Sequence, residues 1–266
     1  MPVVKIAPSV LAADLGALTS ECRRMIDSGA DWLHMGACAL TDIMDGHFVP
    51  NIVMGAPVVK CVHAALPGAF MDCHMMVSEP EKVRGLLTQW IQDIAKAGGR
   101  SYTFHLEATR DAAGVAAKIR AAGMRAAVAI NPGTPASEIT DEIAAAVDMV
   151  LVMSVWPGAG GQKFIKEVMP KVAQLRARFP ELDVEVDGGV GLGTIDNCAT
   201  AGANIIVAGT AIFGHPDPKA IIAHLRTTCE EAQIRIRDMR ERIARGDKVD
   251  LGPEPEIQPA HYCSST

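Results

Sequence analysis

The sequence predicts one domain folded as a closed (β/α)₈ barrel of the TIM type, and three observations carry that expectation. Short β-branched runs alternate with stretches of helical spacing, so successive strands need crossover connections and pair in parallel. Eight such units occupy about 240 residues, the usual size of this barrel. No GxGxxG follows the first strand, as an open dinucleotide-binding sheet would favour, and no linker divides the chain.

The strand units are read in order as Val4–Val10, a strand within Asp31–Gly46, Phe70–Val77, Ser101–Glu107, Ala126–Ile130, Met149–Val155, Val184–Val190 and Ile205–Phe213. Between them, apolar residues recur at helical spacing. Leu15, Leu18, Cys22, Met25 and Ile26 share a face, as do Val115, Ile119 and Ala122, then Val168, Val172 and Leu175. Ile221, Leu225, Cys229, Ala232 and Ile236 make a last helical face. The barrel domain is expected over residues 1–245. Residues 246–266, rich in proline and polar groups, are expected as a poorly ordered tail.

With 49 % hydrophobic and 21 % charged residues, the composition excludes a disordered chain. A net charge of −6 argues against nucleic acid as the main partner, but leaves a small anion possible. No apolar run reaches the ~18 residues of a membrane span, and the first residues do not read as a signal peptide. Seven cysteines without a CxxC pair read as reduced core fillers, pointing to the cytoplasm.

In such a barrel, chemistry sits at the C-terminal ends of the strands. Gly158–Gly161, Gly188–Gly189 and Gly209–Thr210 are small-residue turns there, suited to a phosphate through close backbone approach and helix N-termini. Plain tight turns would use the same residues. His34, Asp42, His74 and Asp187 stand at polar strand ends. Two imidazoles and two carboxylates suit Zn²⁺, Fe²⁺, Mn²⁺ or Co²⁺ better than Ca²⁺. A hydrogen-bonded polar network is the alternative, and spacing leaves both open. His105 is expected either to point into polar core or to pair with a neighbour, and Met44, Met75, Met76 and Met153 to cluster around the strand ends.

The blocks APSVLAAD, DIMDGHFVPN, DCHMMVSEPE, YTFHLEAT, LVMSVWPGAGGQKF, EVDGGV and AGANIIVAGTAIF resemble, in order, those of the ribulose-phosphate 3-epimerase family, over about residues 3–240. The resemblance implies interconversion of D-ribulose 5-phosphate and D-xylulose 5-phosphate in the pentose phosphate pathway. It implies one divalent metal per subunit, on His34, Asp42, His74 and Asp187, with Asp42 and Asp187 transferring the protons. It also implies substrate contacts from Ser9, His74, Gly158, Ala159, Gly160, Gly161, Asp187, Gly188, Gly189, Gly209 and Thr210, and a homodimer. A related ketohexose phosphate is the alternative substrate. The other alternative is a barrel whose activity is impaired by the insertion of residues 36–41.

That insertion is the main departure. The family spaces His and Asp two apart on the second strand, whereas residues 36–41 intervene here. Extended, six residues would part the two ligands by roughly 20 Å. The insert can loop out, the strand can slip so that Leu40 replaces His34, or Asp42 can be displaced. A slip by an even number keeps side-chain parity, and an internal loop leaves ladder groups unpaired. The expectation is therefore slippage, with Asp42 kept, the place of His34 at risk, and metal binding and activity lower than in a variant lacking residues 36–41.

Overall fold

The structure, a computed structural model, describes residues 1–35, 43–51, 55–80, 83–84, 88–158 and 162–245. Eight parallel staves form a nearly closed barrel: β1 (Lys5–Pro8), β2 (two segments, Leu33–Met35 and Ile43–Met44), β3 (Met71–Met76), β4 (Ser101–His105), β5 (Arg125–Ile130), β6 (Met149–Met153), β7 (Asp183–Asp187) and β8 (Ile205–Ala208). Each pairs with its neighbour in sequence from β2 to β8, and β8 pairs with β1. A single bridge, Ser9 to His34, links β1 to β2.

Helices follow the staves because their apolar faces have only the barrel wall to cover. The helix Ala112–Ala121 shows the local logic. The Asp111 side chain caps it by accepting from the Gly114 amide, and Ala112, Val115, Ala116 and Ile119 form the buried stripe. The last helix, Pro218–Ala244, buries Ile221, Ile222, Leu225, Cys229 and Ala232. Cys22, Cys73, Cys198 and Cys229 are buried, as packing residues should be, whereas Cys61 is exposed. Among the described residues no helix is long and apolar enough to cross a membrane. The expected tail, residues 246–266, lies outside the described residues.

Strand alternation builds the barrel interior in layers. At the bottom, Ala7, Trp32, Ala127, Met149, Ile205 and Val207 pack together, with Phe70 stacked on Trp32 at 4.4 Å between ring centroids. At the top, Met44, Met76 and Met153 pack with Val49, Leu151 and Val155. Met75 does not join them. One residue from Met76, it points the other way and packs in the outer core between strands and helices. Between these apolar layers lies a polar one.

The ladder also decides the fate of the insertion. Leu33, His34 and Met35 pair with Met71, Asp72 and Cys73, while Ile43 and Met44 pair with Met75 and Met76. Only His74 lies between the two registers, and residues 36–42 lie outside the described residues. Slippage is thus overturned: His34 keeps its place. Strand parity and the unpaired ladder groups of an internal loop both favour slippage when β2 is considered by itself. In the fold, β3 pins both flanks independently, and the Ser9 bridge holds His34 from the other side.

Candidate functional site

The polar layer gathers side chains that share one strand parity. His34 from β2, Asp72 and His74 from β3, Thr103 and His105 from β4, and Glu185 and Asp187 from β7 all point inward and are buried. His34 Nδ1 lies 2.7 Å from Asp72 Oδ2, and Asp72 Oδ1 accepts from the Thr103 hydroxyl at 3.0 Å. Glu185 Oε1 is 3.5 Å from the same His34 nitrogen. On its other side, His34 Nε2 faces Asp187 Oδ2 at 3.7 Å, and His74 Nδ1 faces that oxygen at 4.0 Å. His74 Nε2 meets His105 Nε2 at 2.8 Å, the neighbour pairing expected of His105.

Three of these atoms, His34 Nε2, His74 Nδ1 and Asp187 Oδ2, are buried without a hydrogen-bond partner and lie within 4.8 Å of one another. Orphaned buried polar atoms are costly, so a cluster of them that converges calls for a bound group. The charge says which kind. Asp72, Glu185 and Asp187 surround His34, and all four are buried. Burial, reinforced by the charge of Asp72, pushes Glu185 up to about 8 and Asp187 up to about 6, although His34 pulls both down. His34 is pushed up against the cost of its burial by Glu185 and Asp72. Burial, aided by the imidazoles of His105 and His34, holds His74 well below the usual histidine range, and so neutral. Surplus negative charge beside neutral imidazole nitrogen fits a divalent transition-metal cation. His34, His74 and Asp187 would hold it. Asp42, the fourth expected ligand, lies outside the described residues.

The small-residue turns are arranged around this mouth. Gly188 and Gly189, directly after Asp187, have φ of +119° and +64°. A Cβ on Gly188 would lie 2.5 Å from Val155 Cγ2, and one on Gly189 2.9 Å from the Phe164 nitrogen. Close packing therefore already demands glycine at both. Gly158 accepts from Asn51 Nδ2 at 2.6 Å, joining the loop after β6 to the loop after β2. Ser9 is buried, and a Cβ on Gly209 would lie 3.6 Å from its Cβ, so the ends of β1 and β8 adjoin. Thr210, exposed, opens a four-residue helix, Thr210–Phe213. Ala159, Gly160 and Gly161 lie outside the described residues.

Asp72, Glu185 and Glu107 were not singled out from the sequence. The signal for the first two was present: Asp72 stands two residues before His74, and Glu185 two before Asp187, so each shares its neighbour's inward face. Glu107 follows β4, and its role rests on partners from other segments. Its carboxylate accepts from the Asn131 amide and the Thr134 hydroxyl and lies 3.3 Å from His105 Nδ1, and these contacts hold it low against the opposing effect of burial.

Comparison with known proteins accords with this geometry. Residues 5–213 match the ribulose-phosphate 3-epimerase family. The chain is 48 % identical to ribulose-phosphate 3-epimerase of Candida glabrata, over 83 % of this chain and 90 % of that protein. It is 47 % identical to the cytoplasmic isoform of ribulose-phosphate 3-epimerase from Oryza sativa subsp. japonica, over 86 % and 96 %. Among solved structures, 3-hexulose-6-phosphate synthase from Salmonella typhimurium superposes with a TM-score of 0.59 at 15 % identity, over 86 % of this chain and 99 % of that one, a likeness of fold alone. On the family match and the curated relatives together, this chain belongs to the ribulose-phosphate 3-epimerase family and is an epimerase.

Proposed function

We propose that the chain interconverts D-ribulose 5-phosphate and D-xylulose 5-phosphate by exchanging the proton on C3, with one divalent cation on His34, Asp42, His74 and Asp187. The observation that supports this most directly is the convergence of His34 Nε2, His74 Nδ1 and Asp187 Oδ2, all without partners, in a buried site with surplus carboxylates. When bound, the ion supplies positive charge against the negative charge that develops on the substrate, worth several kcal/mol.

The C3 proton is acidic because it lies beside the C2 ketone. Epimerisation removes it from one face and returns one to the other. One rigid carboxyl cannot reach both faces, so two are needed, one ionised and one carrying a proton. Asp187 is one of them. Asp42 is the other, the role that the family resemblance implies for it. Ser9 and His74 contact the sugar. Gly158–Gly161, Gly188, Gly189, Gly209 and Thr210 receive the phosphate, and so hold C3 between the carboxyls. Met44, Met76 and Met153 keep water away without offering a competing proton.

The same reading carries a homodimer and a cytoplasmic location, the latter in line with the designation of the rice relative. The deciding experiment is a coupled assay on D-ribulose 5-phosphate with metal analysis of the same preparation. Turnover that is lost on chelation and restored by the ion is expected. Metal-loaded protein that is inert on the pentulose but active on a ketohexose phosphate would replace this substrate with the longer one.

A further inference from the structure

An imidazole can ligate an ion only through a nitrogen whose lone pair is free, so the proton of a ligating histidine must sit on its other nitrogen. His74 turns Nδ1 to the site and sets Nε2 at 2.8 Å from His105 Nε2. When two imidazoles meet nitrogen to nitrogen at this distance, one donates and the other accepts. The far side of His105 decides which. Its Nδ1 lies 3.3 Å from Glu107 Oε2, and Glu107 Oε1 accepts from the Asn131 amide at 2.8 Å and from the Thr134 hydroxyl. An ionised carboxylate only accepts. The proton of His105 is therefore on Nδ1, its Nε2 accepts, and His74 donates from Nε2. The lone pair of His74 is left on Nδ1, facing the site.

We propose that Glu107, at the barrel rim, fixes the tautomer of His74 through His105, and so controls metal affinity from two side chains away. This rests on the metal reading above and adds to it a pair of positioning residues. The ring of Phe48, 4.7 Å from that of His105 between centroids, packs beside the relay. His34 is set by a shorter path of the same kind, through Asp72 and Thr103. Both paths include a residue of β4, a strand that supplies no ligand itself.

Glu107→Gln tests the relay with little change in shape. The Asn131 amide can only donate, so the glutamine carbonyl stays with it and with Thr134. The NH₂ then faces His105 Nδ1 and donates. Both imidazoles reverse, and the proton of His74 moves to Nδ1, where it blocks the ligand position. The test uses the full chain, metal-free and labelled with ¹⁵N-histidine. Long-range ¹H–¹⁵N correlations read the tautomer, and competition with a chromophoric chelator reads Zn²⁺ affinity.

Wild-type protein should show His74 protonated on Nε2. E107Q should show it protonated on Nδ1, with Zn²⁺ bound about 10–100-fold more weakly. Thr134→Val, which removes one donor to Glu107 and leaves the relay intact, should keep the wild-type tautomer and affinity. A wild-type His74 protonated on Nδ1 overturns the proposal, even if E107Q fails to fold. So does E107Q with wild-type affinity, or T134V that weakens binding as much as E107Q does. Failure of Zn²⁺ to bind the wild type would sink the metal reading instead, and the tautomer of the wild type would still judge the relay.

Discussion

Asp183 and Asp187 lie four residues apart on β7 and point into the same barrel, yet their surroundings are opposite. At the bottom, Asp183 accepts from Arg125 at 2.6 Å, from Lys5 at 3.4 Å and from Asn204 Nδ2 at 2.7 Å. Lys5 and Arg125 also lie over the Trp32 ring, at 5.1 and 5.5 Å from its centroid. At the top, Asp187 Oδ2 has no hydrogen-bond partner, and the nitrogens facing it have none either. Where donors answer the carboxylate, it ties strands together. Where they do not, the fold has left charge for something else to bind. Residue type and strand position are alike at both ends; the supply of partners separates structure from function.

The largest expected effect falls on the top. Asp187→Asn should lower turnover by about 10²–10⁴-fold, the usual contribution of one positioned proton-transfer group. It should also abolish the rise in Tm that Zn²⁺ gives the metal-free wild type. Its fold should not suffer. The folded-state value of Asp187, about 6, lies above the ordinary carboxylate value of about 3.9, so its charge costs stability as pH rises from about 4 through 6. Metal-free D187N should therefore melt no lower than wild type at pH 7. A lower melting temperature would mean that Asp187 holds the barrel as Asp183 does.

Asp183→Asn is the mirror test. With Arg125 and Lys5 deprived of their carboxylate, stability should fall by about 1–3 kcal/mol, or several degrees in Tm. The lower end reflects partial exposure of both cations, 34 % for Arg125 and 21 % for Lys5. Turnover by the folded fraction should stay near wild type. A large loss of kcat at full folding would erase the contrast.

A smaller effect belongs to the rim. Asp45 accepts from the amides of His47, Phe48 and Ser78 and from the Ser78 hydroxyl. These bonds hold its carboxyl low, although burial opposes them. A lowered carboxylate contributes stability that is present above its unfolded value and lost as pH falls through the folded one. Asp45→Ala should cost about 1 kcal/mol at pH 7 and progressively less in acid, read from denaturant melts at several pH values. A cost independent of pH would show that packing, not charge, ties this loop.

The smallest expected effect is on the insertion. Deleting residues 36–41 leaves one residue, Asp42, for the one ladder place opposite His74. Zn²⁺ affinity should then stay within a few-fold of wild type, because His34 already holds its register in the longer chain. Much tighter binding after deletion would revive displacement of a ligand by the insert.

Alternation in the chain was enough to find the barrel, and the polar strand ends were enough to single out His34, His74 and Asp187, whose side chains the fold brings together. The same alternation contained Asp72 and Glu185, but a carboxylate two residues from His74 or Asp187 means nothing until its partners are known. The insertion was misjudged for a related reason. Leu40 in place of His34 satisfies the strand's own parity, and only β3 shows that each flank has a separate anchor. Met75 was grouped with the methionines of the mouth by closeness in sequence, whereas strand geometry sends neighbours to opposite faces.

The amino-acid order alone therefore determined the architecture, the family likeness and which residue types reach the mouth, because period and strand parity are local properties of a chain. The fold decided which of those residues are answered and which are left over. Pairing depends on atoms brought within about 3 Å from segments as distant as Lys5 and Asp183, or Glu107 and Thr134. No local pattern encodes that distance.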